Sequence, residues 1–409
     1  MTIRASYGLF FDRYHMFGLN FIGQEPPWGN NIVLTSVNIS NPWASYPGGN
    51  PFPIAIDRNS KFPTAGGFVS FPLNWQPMYL NQWNLSVQRQ LGRDWLVTAN
   101  YLGNTTVHLF SSNQANPAVF LGVGPCSING VNYATCSTTA NINQRRILNL
   151  LNPAQGQFYA GIAYADDGAT GSYNALFLSV QKRLSQGTTL LANYTLSHCI
   201  SDVIDSQIGS GGTSVAAVPG NRRQYRSNCQ GSDQRQVFNL SAVVQSPRFS
   251  GRTIRTIASD WQLSPILKLK SATFFTVLSG VDTALSGQTG ETPNLAPAVS
   301  PYVNDRSCSS APCVTWITSK AFSSAVSGAY GNLGYNNLKG PGLFSLDLAL
   351  SRSFPIDDKR SLQVRAEAFN LPNWVNFNPP VSTLTSGAFG QIQSSADPRI
   401  LQLAMKFLF

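Results

Sequence analysis

The feature that most constrains this chain is a period of two that recurs in blocks of about ten residues and never lengthens into a helix-sized apolar run. The last block, "RILQLAMKFLF", places Leu401, Leu403, Met405, Phe407 and Phe409 on one face and Gln402, Ala404 and Lys406 on the other. Alternate side chains of a strand point to opposite faces, so this is a strand pattern and not a helical one. A soluble strand would bury the odd face in a core, yet a chain terminus ordinarily frays at the surface, where a Phe is badly placed. In a bilayer the same face is satisfied by lipid.

The alternation comes in pairs joined by turn residues. In "WNLSVQRQLGRDWLVTANYLG", Trp83, Leu85 and Val87 alternate with Asn84, Ser86 and Gln88, and the pattern resumes after Gly92 to Asp94 with Trp95, Val97, Ala99 and Tyr101. That is a hairpin signature. "NALFLSVQKRLSQGTTLLANYTLS" repeats it around Ser185 to Gly187, and "FSLDLALSRSFPIDDKRSLQVRAEAF" repeats it around "PIDDKR". The pair "RQVFNLSAVVQ" and "WQLSPILKLKSA" is looser, because Pro265 weakens its second strand. "TIRASYGLFFDR" reads as an opening strand, with Ile3, Ala5, Tyr7 and Leu9 on one face.

About ten strands result, each near the ~9 to 11 residues that cross a bilayer at a tilt. Short turns alternate with long Gly-, Ser-, Asn- and Pro-rich connections of roughly 30 to 70 residues, against a usual median of ~4 to 6. Placing Phe409 at the periplasmic end puts every short turn on the periplasmic side and every long loop outside. The fold class expected is therefore all-β, an antiparallel transmembrane β-barrel with long extracellular loops, in the outer membrane of a Gram-negative cell. A soluble sandwich or propeller also alternates, but its strands average nearer ~5 to 6 residues without strict alternation of long and short connections.

Composition agrees. Charged residues are 11% of the 409 and apolar residues 43%, against roughly 25% and 45–50% in soluble domains, so uncharged polar residues fill the gap. The net charge of +10 invites a nucleic-acid reading, but there is no basic run interleaved with aromatics and no amphipathic basic helix, so nucleic acid is not an expected partner. Lipopolysaccharide phosphates and an anionic ligand fit the charge equally well, and a mildly basic protein with no charge-specific partner fits it better than either. "MTIRASYGLFF" lacks the layout of a signal peptide, so the chain reads as beginning inside a structure.

The cysteines are the sharpest local signal. Cys126 with Cys136, Cys199 with Cys229, and Cys308 with Cys313 each fall within one expected outer loop. In an oxidising compartment such grouping points to three local disulfides, tying down loops that have no core of their own. His15, His108 and His198 are scattered, so metal-binding motifs are not formed. His198 with Asp202 and Asp205 has the residue types for a metal or acid–base site, but without a third ligand or a nucleophile it reads as a solvated loop. Arg222, Arg223, Arg226 and Arg235 form the one Arg-dense region, again read as solvated. Asp357 and Asp358 belong to a tight turn. "SGQTGETPN" and "GAYGNLGYNNLKGPG" are Gly-rich without the strand-to-helix context of a phosphate cradle. No catalytic residue, metal or cofactor is expected, and Phe409, Phe407 and Met405 read as a terminal-strand signal for the barrel insertion machinery.

The ordered set "RASYGLFFDR", "YNALFLSVQKRLSQGTTLLANYTLSH", "SDQRQVFNLS", "FFTVLSGVD", "LKGPGLFSLDLALSRSF" and "RAEAFNLPNWVNFNPP" resembles the C-terminal barrel region of Oar-like TonB-dependent receptors of the Acidobacteria type, over nearly the whole chain. The resemblance implies a barrel of about 22 strands around an N-terminal plug, energised by TonB and often preceded by a carboxypeptidase-regulatory-like β domain. Plug, TonB box and signal peptide are not in this sequence, and Pro372 in "FNLPN" replaces the family's usual aromatic. The expectation is thus that residues 1–409 are the C-terminal portion of such a receptor barrel, binding and taking up an unidentified ligand and meeting the TonB complex only through the absent plug. A small passive porin, complete in itself, is the alternative that an even strand number permits. An enzyme built on a barrel would need a catalytic constellation at the loop rim, and none stands out.

Overall fold

The computed structural model describes residues 1–12, 62–185, 187–202, 233–303, 314–357 and 360–409, with single residues and short runs within 23–60 and 218–231 and at 307. Ten strands form one antiparallel sheet in which chain order is spatial order. They are β1 (Thr2–Phe11), β2 (Tyr79–Leu91), β3 (Trp95–Gln114), β4 (Tyr159–Ser185), β5 (Thr188–Ser201), β6 (Gln236–Gln245), β7 (Trp261–Lys270), β8 (Leu343–Pro355), β9 (Ser361–Phe369) and β10 (Ile400–Leu408). Among the described residues, β1 pairs with β2 alone and β10 with β9 alone within this sheet.

Register turns the alternation into two surfaces. One row runs Ile3, Val87, Ala99, Leu178, Tyr194, Phe238, Leu269, Phe344 across eight neighbouring strands. The adjacent row runs Thr2, Gln88, Thr98, Ser179, Asn193, Asn239, Lys268, Ser345. Every member of the first is apolar and every member of the second polar. A slip of one residue at any strand would mix the two faces, so this register is the one that suits a wall between lipid and water. The apolar face covers no core: Leu85, Leu178, Leu263 and Leu350, on strands with a neighbour on each side, are still 47%, 39%, 38% and 38% exposed, which fits lipid contact and not a sandwich. No described helix is long and apolar enough to cross a membrane.

Three expectations about the sheet are corrected. Strands β3 and β4 have 20 and 27 residues, about twice the ~9 to 11 needed to span. Their extra length rises past the membrane as a two-stranded stalk, bent where the register shifts between Thr106 and Leu109 and His108 takes a φ of 57°. The stalk carries a parallel five-residue strand, Gly66–Ser70, and a small core of Val69, Ala163 and Ala165 with Phe71, Trp75 and Phe110 around it. Pro265 does not weaken β7 as a whole: it pairs in register with Leu348 on the β8 side. On the β6 side the register passes from Ser241–Ile266 to Val244–Leu263, so the missing N–H costs that ladder only. Finally, the connection from β6 to β7 contains a short basic amphipathic helix, where none was expected.

The long connections are L1 (12–78), L2 (115–158), L3 (202–235), L4 (271–342) and L5 (370–399). They lie at one end of the sheet and the four short connections at the other. The expectation that these loops lack a core is overturned. Val277, Ile317, Ala321, Phe322, Leu333 and Leu338 from L4 are buried together, with Leu384 and Phe389 of L5 packed against them. L2 adds the helices α1 (Ile147–Leu151) and α2 (Pro153–Gly156). A segment dispersed among Gly, Ser and Asn gives no amphipathic period, so this core is invisible to pattern reading.

Candidate functional site

The chemistry-bearing side chains converge in this loop layer, where most of them bind within their own loop and a few join one loop to another. Arg145, between the 3₁₀ turn Asn143–Arg145 and α1, has no exposed surface. Its guanidinium donates to Asn141 Oδ1 at 2.9 Å, to the Thr138 carbonyl at 2.9 Å, to the Val119 carbonyl, and to the Leu285 carbonyl of L4 at 3.0 Å. Arg146 donates to the Asn116 carbonyl at 2.6 Å and to Asn143 Oδ1 at 2.9 Å. Burial pulls the Arg146 guanidinium down to about 10, with Asp282 opposing the shift and Arg145 adding to it. Both remain cations at neutral pH; Arg145 ties L2 to L4 through the Leu285 carbonyl, whereas both Arg146 bonds stay within L2.

Opposite them, Glu291 is buried. It accepts from Thr283 N at 2.7 Å, Thr283 Oγ1 at 2.6 Å and Ala284 N at 3.1 Å. Burial and the neighbouring Asp282 push its carboxyl up to about 7, against the pull of the Thr283 and Ala284 bonds. Asp282 in turn accepts from Ser286 N at 3.0 Å and Gly287 N at 2.8 Å. "SGQTGETPN" is therefore the buried centre of L4. Gly331 lies so close to it that a Cβ there would fall 1.9 Å from the Thr292 carbonyl, which explains the small residue.

L3 is held in the same way. Asp202 accepts from Thr170 N at 2.9 Å and Thr170 Oγ1 at 2.6 Å, and pairs with Arg226. Burial favours its neutral form, but the Thr170 and Arg226 bonds outweigh that and hold the carboxyl below its usual range. Arg235 donates to Asp233 Oδ2 and Asn228 Oδ1, both at 2.8 Å, and lies 5.4 Å from the Phe274 ring centroid. Asn228 and Asn336 exchange side-chain amide bonds to each other's carbonyls at 2.8 and 3.0 Å, joining L3 to L4.

The expected site residues distribute as follows. Cys126 and Cys136 are joined, with Cα atoms 5.2 Å apart, and so are Cys199 and Cys229, at 5.3 Å. Cys308 and Cys313 lie outside the described residues, as do His15, Asp205, Arg222 and Asp358. Asp202 is buried and Arg235 half-buried in the pairs just described, so neither is solvated as expected; Arg226 is exposed, as is Arg223, though Arg226 pairs with Asp202. His198 is half-buried, its Nε2 without a hydrogen-bond partner. Asp357 accepts from the Arg360 backbone N–H at 2.7 Å, as a turn residue should. Met405 and Phe407 pair across from Val364 and Leu362 on the apolar face, with Phe409 stacked 6.1 Å from Phe407. Among the described residues no group of three His, Cys, Asp or Glu is placed to hold a metal ion.

The layer exposes several apolar side chains among its polar ones. Phe120, Leu121, Val123 and Val131 around the Cys126–Cys136 hairpin, and Val326 of L4, are exposed. Gly328, at φ 86°, packs under Phe120, where a Cβ would come within 2.3 Å of the ring. Sequence reading missed Arg145, Arg146, Glu291 and Asp282, since each becomes special only through burial by segments far away in the chain.

No curated protein matches this sequence. Among solved structures, the outer membrane transporter YddB of Escherichia coli aligns with 84% of this chain and 34% of its own, at 9% identity and a TM-score of 0.42. The ferric-catecholate import receptor Fiu of E. coli K12 aligns with 99% and 32%, at 11% and 0.40. The ferric preacinetobactin receptor BauA of Acinetobacter baumannii aligns with 84% and 32%, at 12% and 0.36. The chain thus spans about a third of the length of these solved chains. The model of the outer membrane beta barrel domain family matches residues 1–402. With its two-faced antiparallel sheet and that match, the chain is a member of the outer membrane beta barrel domain family and an outer-membrane protein.

Proposed function

We propose that residues 1–409 are the C-terminal portion of a TonB-dependent receptor barrel of the Oar-like kind, and that the fused loop layer is its ligand-binding surface. The observation that carries this reading is the pair of bare edges. Strands β1 and β10 each have one partner in the sheet among the described residues, and both are exposed along nearly their whole length. In lipid an open ladder of N–H and C=O groups cannot persist, so the edges must meet each other or meet further strands. A sequence curved for a wide barrel has the wrong shear for a ten-stranded one, which favours further strands. Contact with TonB would run through a plug supplied by those further parts, and lipopolysaccharide and outer-membrane lipid would surround the wall. Phe409, Phe407 and Met405 would present the last strand to the barrel insertion machinery.

The test is expression of this chain behind a signal peptide, beside the complete reading frame. The expected result is degradation or misfolding of the chain alone and a heat-modifiable, protease-resistant barrel from the complete frame. A heat-modifiable barrel from the chain alone that conducts ions across planar bilayers would overturn the reading and favour a small passive porin. Energy-dependent accumulation of ligand, abolished when TonB is deleted, would test the uptake step separately.

A further inference from the structure

Between β6 and β7, at the short-connection end, residues 246–260 carry the helix α3 (Arg252–Ala258). At 100° per residue, Ile254 and Ile257 share one side of it and Arg252 and Arg255 the other. Among the described residues nothing covers the apolar side: Ile254 and Ile257 are 56% and 65% exposed, and Phe249 just before the helix is also exposed. The helix is docked by two residues of the sheet's apolar face. Trp261 and Arg352 are register partners, on the same face as the pair Leu263 and Leu350 two residues on. Trp261 Nε1 donates to the Ile257 carbonyl at 2.8 Å, and Arg352 Nη2 donates to the Thr256 carbonyl. They thereby satisfy carbonyls that the end of a helix leaves without partners. Since both donors leave the sheet on the side that faces lipid, the helix lies beside the barrel wall at the membrane boundary and not beneath its lumen.

Cations gather at this level. Arg352 lies 5.3 Å from the Trp261 ring centroid and 4.7 Å from that of Phe354. On the neighbouring hairpins Lys182 lies 5.8 Å from the Trp95 ring, again on the apolar face and near a short turn. Within 246–260 there are three arginines against one acid, Asp260, which pairs with Arg248 at 3.3 Å.

We propose that residues 246–260 form an interfacial foot that binds acidic phospholipid headgroups in the leaflet at the short-connection end. Ile254, Ile257 and Phe249 enter the acyl boundary, and Arg248, Arg252 and Arg255 meet the phosphates. An apolar side flanked by cations suits a headgroup attached to its acyl chains, where a free phosphate would leave the isoleucines in water. The proposal rests on the membrane-spanning sheet and not on the receptor reading.

The experiment uses protein purified from the outer membrane and reconstituted in phosphatidylcholine vesicles, with tryptophan quenching by brominated phosphatidylglycerol compared against brominated phosphatidylcholine. At low salt the acidic lipid should be preferred roughly tenfold, falling below about twofold in the triple variant R248Q/R252Q/R255Q. The triple Lys variant should retain the preference. A wild-type ratio near one, or a ratio unmoved by the Gln variant, overturns the proposal. Should the Gln variant fail to assemble, wild-type protein decides alone, because a preference due to exposed cations must weaken as salt rises and a salt-independent one overturns it. A photocrosslinking residue at position 254 should yield lipid adducts in cells; adducts to a protein would overturn a lipid partner.

Discussion

The sheet and the loop layer of this molecule are built for different solvents. In the sheet, the ladder satisfies the backbone and the side chains divide by parity, so that Leu178, Tyr194 and Phe238 form one face and Ser179, Asn193 and Asn239 the other. Very little is buried inside the protein, because lipid takes the place of a core. In the loop layer parity has no role. Arg145, Glu291, Asp202 and Asp233 are buried among backbone groups and partners, and an apolar core of L4 and L5 residues sits beside them. The difference teaches that each half fails by its own mechanism: the layer through an unsatisfied buried polar group, the sheet through register or assembly.

The most severe test of the layer is Arg145→Met. It strips a donor from the Val119, Thr138 and Leu285 carbonyls, while Asn141 Oδ1 keeps its bonds from Thr138, and the lost partners should destabilise the layer by about 3 to 5 kcal/mol. Hydrogen exchange should rise across L2 and L4 while heat-modifiability of the barrel is unchanged. Loss of both together would mean that the two regions are one cooperative unit.

Next in size, Cys199→Ser with Cys229→Ser should loosen L3 by about 2 to 4 kcal/mol, since the bond closes a separation of 30 residues. Protease sensitivity within L3 should increase with the sheet intact. The corresponding bond at Cys126 and Cys136, across 10 residues, should count for less. Non-reduced peptide mapping that finds cross-loop pairs would break the expectation of local closure.

Glu291 makes the layer sensitive to pH in a definite direction. Its carboxyl is raised from 4.5 to about 7 in the folded state, so the folded layer holds the proton more tightly than the unfolded one. The contribution is fully present below about pH 4.5 and is lost as pH rises through about 7. L4 should therefore open more readily at pH 8 than at pH 5, by about 1 to 3 kcal/mol, as read by exchange at Thr283 and Ala284. Glu291→Gln should flatten that slope, and a slope of the opposite sign would show that another group dominates.

The smallest effect on stability is expected at the sheet's end. Removing Phe409, which is 95% exposed and stacks only on Phe407, should change unfolding by less than about 1 kcal/mol. It should nevertheless lower the amount of complete protein that reaches the outer membrane. Unchanged levels and heat-modifiability would count against a role in assembly.

The strand number, the hairpins, the polar and apolar faces and the separation of short from long connections were legible in the sequence. Period two is a local property: whichever neighbour Ser179 meets, it cannot share a face with Leu178. Cysteine grouping was legible in the same way for Cys126 with Cys136, inside L2, and for Cys199 with Cys229, although Cys199 sits at the end of β5 and not in the loop itself. The surplus length of β3 and β4, the one-sided cost of Pro265, the burial of Arg145 and Glu291 and the docking of α3 were decided by tertiary structure alone. Arg145 looks like any loop arginine until Leu285, 140 residues away, brings it a carbonyl. The acidity of Glu291 depends on how many atoms exclude water from it, and three basic residues between two strands become a membrane contact only when Trp261 and Arg352 aim their helix at lipid. Sequence determines what a residue offers along its own strand; folding decides the solvent that surrounds it, and burial, charge and partner all follow from that solvent.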